Sequence, residues 1–154
     1  MIGRANFMRH QKHASTACEP PLGAVIVCEI YQLFDHTGIY IGDGQIVELA
    51  GTGLVRAVSF CRFLHGRSGE DLQVLVDTAG RPLGFAEAAG RAISALYTYR
   101  PYDVLRYNCH RFCLECIDGR VNDVTSFFDF KTAIQQRTQI QVDIELLRWR
   151  PPYN

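Results

Sequence analysis

The chain lacks any apolar run of the roughly 18 to 20 residues that a membrane-spanning helix requires. Residues 1–18 are polar and basic, without the apolar segment that marks a secretory signal peptide. We therefore expect no transmembrane segment. We also expect an intracellular, cytoplasmic location in which the six cysteines stay reduced.

A surplus of charge is also absent, because 16 lysines and arginines balance 16 aspartates and glutamates. Binding to nucleic acid needs a basic surplus, so nucleic acid is not an expected partner. The sequence contains no phosphate-binding P-loop, no G-x-G-x-x-G fingerprint and no G-x-S-x-G motif. We accordingly expect no cofactor.

The length of 154 residues indicates one domain, and the composition of 47% hydrophobic and 21% charged residues is ordinary for a globular protein. Residues 1–21 end in Glu-Pro-Pro and predict a flexible N-terminal arm. The basic residues of this arm leave open a role at a membrane surface or with a partner. Residues 22–149 form the predicted domain, and residues 150–154 a C-terminal tail.

The first half of the chain predicts an antiparallel sheet. Residues 22–30 (LGAVIVCEI) form a continuous apolar run, which is typical of a buried strand. Asp43 and Gly44 form a strong hairpin signal between predicted strands at 36–42 and 45–50. Two shorter strands are expected at residues 54–58 and 72–76.

The second half predicts helices that pack on this sheet. Asn108 is a good N-cap, and Gly119 a good stop, for a helix that begins at Cys109. Other helices are expected at residues 59–64, 85–97 and 126–136, and further strands at 102–107 and 139–149, the last with a helix as the alternative. The fold class is therefore α+β, with a small antiparallel sheet packed with helices.

Cys109 stands at the first position of its predicted helix. There a sulfur meets the positive end of the helix dipole and unpaired backbone N–H groups, and both favour the thiolate over the thiol. Cys109 is thus the candidate nucleophile of a cysteine enzyme. The alternative is that it serves as one more small, buried apolar side chain.

His36 is the candidate general base, and Glu48 is the candidate group that orients its ring. In the predicted hairpin Gly42 pairs with Gln45, which places His36 near position 51 and close to Glu48 along the partner strand. A buried carboxylate at that place would need a partner. The alternative for Glu48 is an ordinary residue that faces solvent.

Cys113 and Cys116 follow Cys109 with C-x3-C-x2-C spacing, which puts three sulfurs on one helix face. This spacing also occurs in iron–sulfur enzymes. A zinc site would need a fourth ligand, and His110 is a poor one because it points off the helix face that carries the cysteines. We expect no metal, with Cys113 and Cys116 as core thiols. His110 itself is expected to be exposed, although it stands near enough to tune Cys109.

Two motifs resemble those of the lecithin:retinol acyltransferase (LRAT) domain family. Residues 36–44 (HTGIYIGDG), followed by 47–49 (VEL), resemble its H-box, and residues 108–112 (NCHRF), followed by Gly119, resemble its NC-box. The similarity covers residues 22–119 and is greatest to the bacterial branch. That family is similar to a circularly permuted papain-like fold of the NlpC type, in which the histidine precedes the cysteine.

The resemblance implies covalent acyl transfer. Cys109 would form a thioester, His36 would move the proton, and Glu48 would orient His36. The implied substrates are the acyl esters of phospholipids, with peripheral membrane contact. Peptide amides, as cut by NlpC-type relatives, are one alternative, and a catalytically inactive interaction module is another.

The chain departs from the family pattern at three places. Glu48 stands where many members have a second histidine, and a carboxylate stabilises an imidazolium better than an imidazole does. His110 and Arg111 replace the glutamate and histidine of the common N-C-E-H-F motif. A C-terminal membrane helix like that of the vertebrate phospholipases is not found, so any contact with a bilayer would be peripheral.

Overall fold

The computed structural model describes residues 15–30, 34–67 and 71–152, and the predicted arm at residues 1–14 lies outside these ranges. The strands of the described part are β1 Ser15–Thr16, β2 Val25–Ile30, β3 Phe34–Gly42, β4 Gln45–Leu49, β5 Val55–Ser59, β6 Gln73–Val76 and β7 Asp143–Leu147. Its helices are α1 Phe60–Leu64, α2 Ala86–Ser94, α3 Cys109–Asp118 and α4 Phe127–Thr138.

The seven strands form one open sheet in the order β1-β7-β6-β2-β3-β4-β5. Every neighbouring pair is antiparallel except β1 and β7, which are parallel. The predicted α+β class is therefore confirmed, with a larger sheet than the sequence indicated. Among the described helices, none combines the length and the apolar character that a bilayer span demands.

Alternate residues of the central strands supply two separate hydrophobic clusters, as expected for a sheet that is covered on both faces. One cluster joins the sheet to α2, α3 and α4, and includes Val25, Val27, Ile39, Val47, Ala88, Ala92, Phe112, Phe130 and Ile134. The other joins the sheet to α1 and Trp149, and includes Ile26, Tyr40, Ile46, Phe60 and Phe63. The apolar run in β2 is continuous because its successive residues pack alternately into the two clusters.

The domain extends beyond the predicted boundaries at residues 22 and 149. Ser15 and Thr16 already pair with β7, and the Tyr40 hydroxyl donates a hydrogen bond to Glu19. At the other end, Pro151 is buried. Residues 15–21 and 151, which the sequence predicts to lie in the arm and the tail, therefore belong to the folded unit.

The strand predicted at residues 102–107 is wrong. The segment is a turn, in which the Tyr107 N–H donates to the Asp103 carbonyl and the Leu105 N–H donates to the Asp103 carboxylate. Asp103 accepts these hydrogen bonds within the segment, so the backbone does not pair with a neighbouring strand. The alternation of apolar residues favours a strand and does not reveal this local partner. By contrast, residues 143–147 form the strand expected near the C-terminus rather than the alternative helix.

A β-bulge in the β3–β4 hairpin sets the register of the sheet. Gly42 pairs with Gln45 as predicted, but Tyr40 pairs with Ile46, so that Ile41 is an extra residue on β3. The turn is tight enough to need positive φ angles from Gly42 through Gly44. A one-residue shift exchanges the two faces of a strand, so later residues of β4 face the opposite side from the one that unbroken pairing would give.

Gly38 is closely packed between the strands and α1. A β-carbon at this position would lie 2.5 Å from Cγ2 of Ile46 and 2.9 Å from Cε2 of Phe63. Gly90, on α2, is the matched control, because a β-carbon there would meet nothing within 4 Å.

We expect Gly38→Ala to lower the free energy of unfolding by about 1–3 kcal/mol through overpacking. Gly90→Ala should instead raise it by up to about 1 kcal/mol, because alanine favours the helix. Urea unfolding of both variants beside the wild type measures the difference. An unchanged midpoint for Gly38→Ala would contradict the packing described here.

Candidate active site

The first turn of α3 is held by Asn108, the predicted N-cap. Its side-chain oxygen accepts hydrogen bonds from the N–H groups of His110 and Arg111 at 3.1 and 3.4 Å. Its amide nitrogen donates to the carbonyls of Val104 and Thr125. Asn108 therefore fixes the helix start to the preceding turn and to the segment before α4, which leaves Cys109 in a rigid position.

The backbone N–H of Cys109 remains available for a ligand. The N–H groups of His110 and Arg111 bind the Asn108 side chain, and that of Phe112 donates to the Asn108 carbonyl. Within the part of the chain that the structure describes, no acceptor is found for the N–H of Cys109. A free N–H next to a nucleophile is the usual element of an oxyanion hole.

Glu48 binds the ring of His36, as the sequence predicted. The distance from Nε2 of His36 to Oε2 of Glu48 is 2.7 Å, and the glutamate is completely buried. The alternative of a solvent-facing Glu48 is therefore wrong. Because the bulge shifts β4 by one residue, Glu48 comes opposite Gly38 and shares the face of His36, whereas unbroken pairing would have turned it away.

Two arginines, which the sequence analysis did not identify, complete the surroundings of Glu48. Arg56 lies directly opposite it on β5 and reaches Oε1 at 2.7 Å, and Arg67, after α1, reaches Oε2 at 3.1 Å. The pairing of β4 with β5 was a signal that could have revealed Arg56. Arg67 lies in a loop, and no periodic pattern points to it.

The Glu48 carboxylate stays ionised in spite of its burial. Burial alone would raise the pKa of Glu48, but the hydrogen bond and charge of His36, with the two arginines, lower it to about 2. The ring of His36 is also packed against Phe63, with the ring centroids 4.9 Å apart. Since Glu48 occupies Nε2, the other ring nitrogen, Nδ1, is the one free to exchange a proton.

Cys109 and His36 influence each other's ionisation. Burial would raise the pKa of the Cys109 thiol, but the charge of His36, followed by a hydrogen bond and charge from His110, holds it well below its usual range. Burial would likewise lower the pKa of His36, yet the charge of Cys109 and hydrogen bonds to Cys109 and Glu48 raise it. Both directions favour a thiolate beside an imidazolium.

The other buried thiols have raised pKa values, which disfavour the reactive thiolate form. Burial, as the largest influence, raises the pKa values of Cys28 and Cys116 to about 12, and that of Cys113 well above its usual value. Cys113 and Cys116 are core residues of α3, as predicted. In the described ranges no group of three or more histidine, cysteine or acidic side chains is arranged to hold a metal.

His110 is buried, which contradicts its predicted exposure. Only 5% of its surface is accessible, and its ring packs against Phe127 and Phe130 of α4. Its Nδ1 lies 3.1 Å from the Thr37 hydroxyl and 3.9 Å from the Cys109 sulfur. The predicted exposure follows from the position of His110 on α3 alone, away from the face that carries the cysteines. In the folded chain α4 covers that position.

A scan of protein-family models finds none that matches the chain, and a search of curated proteins finds no significant match. The function is therefore inferred from the contact of His36 with Glu48 and from the position of Cys109 at the start of α3.

The ionised Glu48 should make stability depend on acid. Its pKa in the folded protein is lowered, so its contribution is fully present above its unfolded pKa and is lost as the pH falls from about 5 towards about 2. We expect this loss to be on the order of 3 kcal/mol in the wild type. Glu48→Gln should lack this loss and should already be less stable at pH 7 by about 3–5 kcal/mol, because two arginines lose their counter-charge.

Urea unfolding at pH 7, 4 and 3, a range over which about 2 kcal/mol of this loss should appear, measures the difference, with Glu29→Gln as a control at an exposed strand position. An equal acid-induced loss in Glu48→Gln and the wild type would contradict the ionised cluster.

Proposed function

We propose that the protein is a cysteine acyltransferase or hydrolase of the LRAT type, with a circularly permuted papain-like fold. The observation that carries this proposal is a thiol at a helix N-terminus whose partner histidine is held by a buried, ionised glutamate. The order of the residues along the chain, with His36 before Cys109, agrees with the permuted arrangement.

Acylation begins with attack of the Cys109 thiolate on the carbonyl carbon of an acyl ester. A carbon–sulfur bond forms, and the negative charge moves to the carbonyl oxygen, where the free N–H of Cys109 can bind it. When the oxyanion collapses, the carbon–oxygen bond to the alcohol breaks. The leaving oxygen then takes the proton from Nδ1 of His36, which leaves a thioester and a neutral imidazole.

Deacylation uses the same groups in reverse. The neutral His36 removes a proton from water, or from an acceptor alcohol or amine, while its oxygen or nitrogen attacks the thioester carbon. Cys109 departs as a thiolate, and the imidazolium that has formed again stabilises it. Glu48 keeps the ring in place and favours its charged form in both half-reactions.

Lipid esters are the proposed substrates. Val104 and Leu105 lie in the turn just before Cys109 and are 54% and 77% exposed, which offers apolar surface beside the site. Asn108 ties this turn to the helix start through the Val104 carbonyl. An exposed apolar turn next to the nucleophile supports peripheral contact with acyl chains.

Binding without turnover is the second candidate, and the burial of the thiol favours it. Only 5% of the Cys109 surface is accessible, which leaves little of the residue open to a carbonyl carbon. The two experiments below separate a working thiol from one that serves only in packing.

The first experiment follows alkylation by iodoacetamide between pH 5 and pH 8. We expect one thiol to react fast below pH 7, with the signal lost in Cys109→Ala and slowed at least about tenfold in His36→Ala at pH 6, since one pKa unit is a tenfold change in thiolate. Intact mass and peptide mapping identify the labelled residue. The exposed Cys18 and Cys61 provide the slow reference.

Slow labelling spread over several cysteines, with no effect of His36→Ala, would contradict an activated pair. In that case the protein would be treated as a binding module.

The second experiment identifies the substrate by trapping the acyl-enzyme. With short-chain phosphatidylcholine we expect a mass increase of one acyl group on the wild type, reversed by hydroxylamine and absent from Cys109→Ala. A matched peptide-amide substrate tests the NlpC-type alternative. Cleavage of the peptide without an acyl adduct from the lipid would reject the lipid proposal, and failure of both substrates with a reactive thiol would favour the binding module.

A further inference from the structure

His110 stands beside the nucleophile but has no role in the mechanism above. It is the residue after Cys109 on α3, is 5% exposed, and faces Thr37 of β3. The β3–β4 pairing runs only from Gly42–Gln45 to Ile39–Val47, so Thr37 lies beyond it. At this part of β3 the Thr37 hydroxyl lies 3.1 Å from Nδ1 of His110.

The ring of His110 is held on two sides. Phe127 and Phe130 of α4 contact it with centroid distances of 5.7 and 5.9 Å, and the completely buried Thr37 binds Nδ1. An ordinary core histidine would satisfy its polar atom with such a hydroxyl alone. Here the same Nδ1 also lies 3.9 Å from the Cys109 sulfur, so a hydrogen carried by Nδ1 would lie between the Thr37 oxygen and the sulfur.

A buried thiolate needs more than one donor. Taking an anion out of water is costly unless hydrogen bonds replace the lost solvation, and His36 supplies only one ring nitrogen. The free N–H of Cys109 is reserved for the substrate oxygen in the proposed reaction. Among the residues that the structure describes, Nδ1 of His110 offers a further polar group near the sulfur, at 3.9 Å.

We propose that His110 is a positioning residue for the nucleophile: its Nδ1, oriented by Thr37, donates to the Cys109 sulfur and holds it towards His36. This inference rests on the proposed function, because it assigns a second histidine to the same thiol. No bond is made or broken at His110. Its effect is to keep the sulfur in one rotamer and to stabilise its negative charge.

Three substitutions isolate the contact. His110→Phe keeps an aromatic ring against α4 and removes the nitrogen. His110→Asn restores a donor at the position of Nδ1, since an asparagine amide and Nδ1 lie at the same distance from the backbone. Thr37→Val removes the orienting hydroxyl while keeping the shape of the side chain. His65→Phe, at the exposed end of α1, is the matched control for loss of a histidine.

The readout is the rate of Cys109 alkylation as a function of pH, measured with thermal unfolding of each variant. The other charged or titratable groups near the pair are not substituted, namely Cys28 of β2, Asp35 and His36 of β3, Glu48 of β4, Arg67 after α1, Tyr102 before α3, Cys113 of α3 and Lys131 of α4.

We expect His110→Phe and Thr37→Val to raise the pH midpoint of alkylation and to slow the reaction at pH 6 by about threefold to tenfold, as expected for loss of one hydrogen bond to a charged group. His110→Asn should recover most of the rate that His110→Phe loses. His65→Phe should follow the wild type. A purely structural role would lower the melting temperature without moving the midpoint.

Two results would overturn the inference while leaving the proposed function intact. One is a wild-type midpoint in both His110→Phe and Thr37→Val. The other is an equal loss in His110→Asn and His110→Phe. If His110→Phe fails to fold, Thr37→Val and His110→Asn still decide the question. Failure of the proposed function itself gives a different result, because the wild-type Cys109 would then show no fast alkylation.

Discussion

The rest of the site depends on one buried carboxylate, that of Glu48. A charge in a protein interior is tolerated only when it is paired and hydrogen-bonded, and this one is satisfied from three directions, by His36, Arg56 and Arg67. These partners come from β3, from β5 and from the loop after α1. The same contacts that make the charge tolerable therefore join three parts of the chain, and they fix the orientation of the ring that faces Cys109.

Backbone geometry decides whether that carboxylate can reach the ring at all. The extra residue at Ile41 shifts the pairing of β4, which brings Glu48 to the face of His36. On the same face, Gly38 leaves room for Phe63 to pack close to the strands and against the His36 ring. The site therefore depends on the bulge and on the absence of a side chain at Gly38 as well as on its charged residues. The bulge matters because a one-residue slip exchanges the faces of a strand.

The six cysteines show how position decides the chemistry of a thiol. Cys28, Cys113 and Cys116 are buried among apolar groups, which raises their pKa values and keeps them protonated. Cys109 is buried too, but it stands at a helix start with histidines beside it, and its pKa is lowered. One thiol is therefore suited to act as a nucleophile, while its neighbours on the same helix contribute only to packing.

The sequence alone determined the features that depend on local contacts. The N-cap at Asn108, the stop at Gly119 and the Asp43-Gly44 turn all follow from residues a few positions apart, and all occur as predicted. Local chemistry also singled out Cys109, and the expected hairpin placed Glu48 close to His36 along the strands, although only the bulge brings the two side chains to one face. Tertiary structure alone decided the bulge, the two arginines around Glu48 and the burial of His110 under α4, because each depends on groups brought together by the packing of distant segments. The sequence could name the chemical groups, but only the folded chain determined which of them meet.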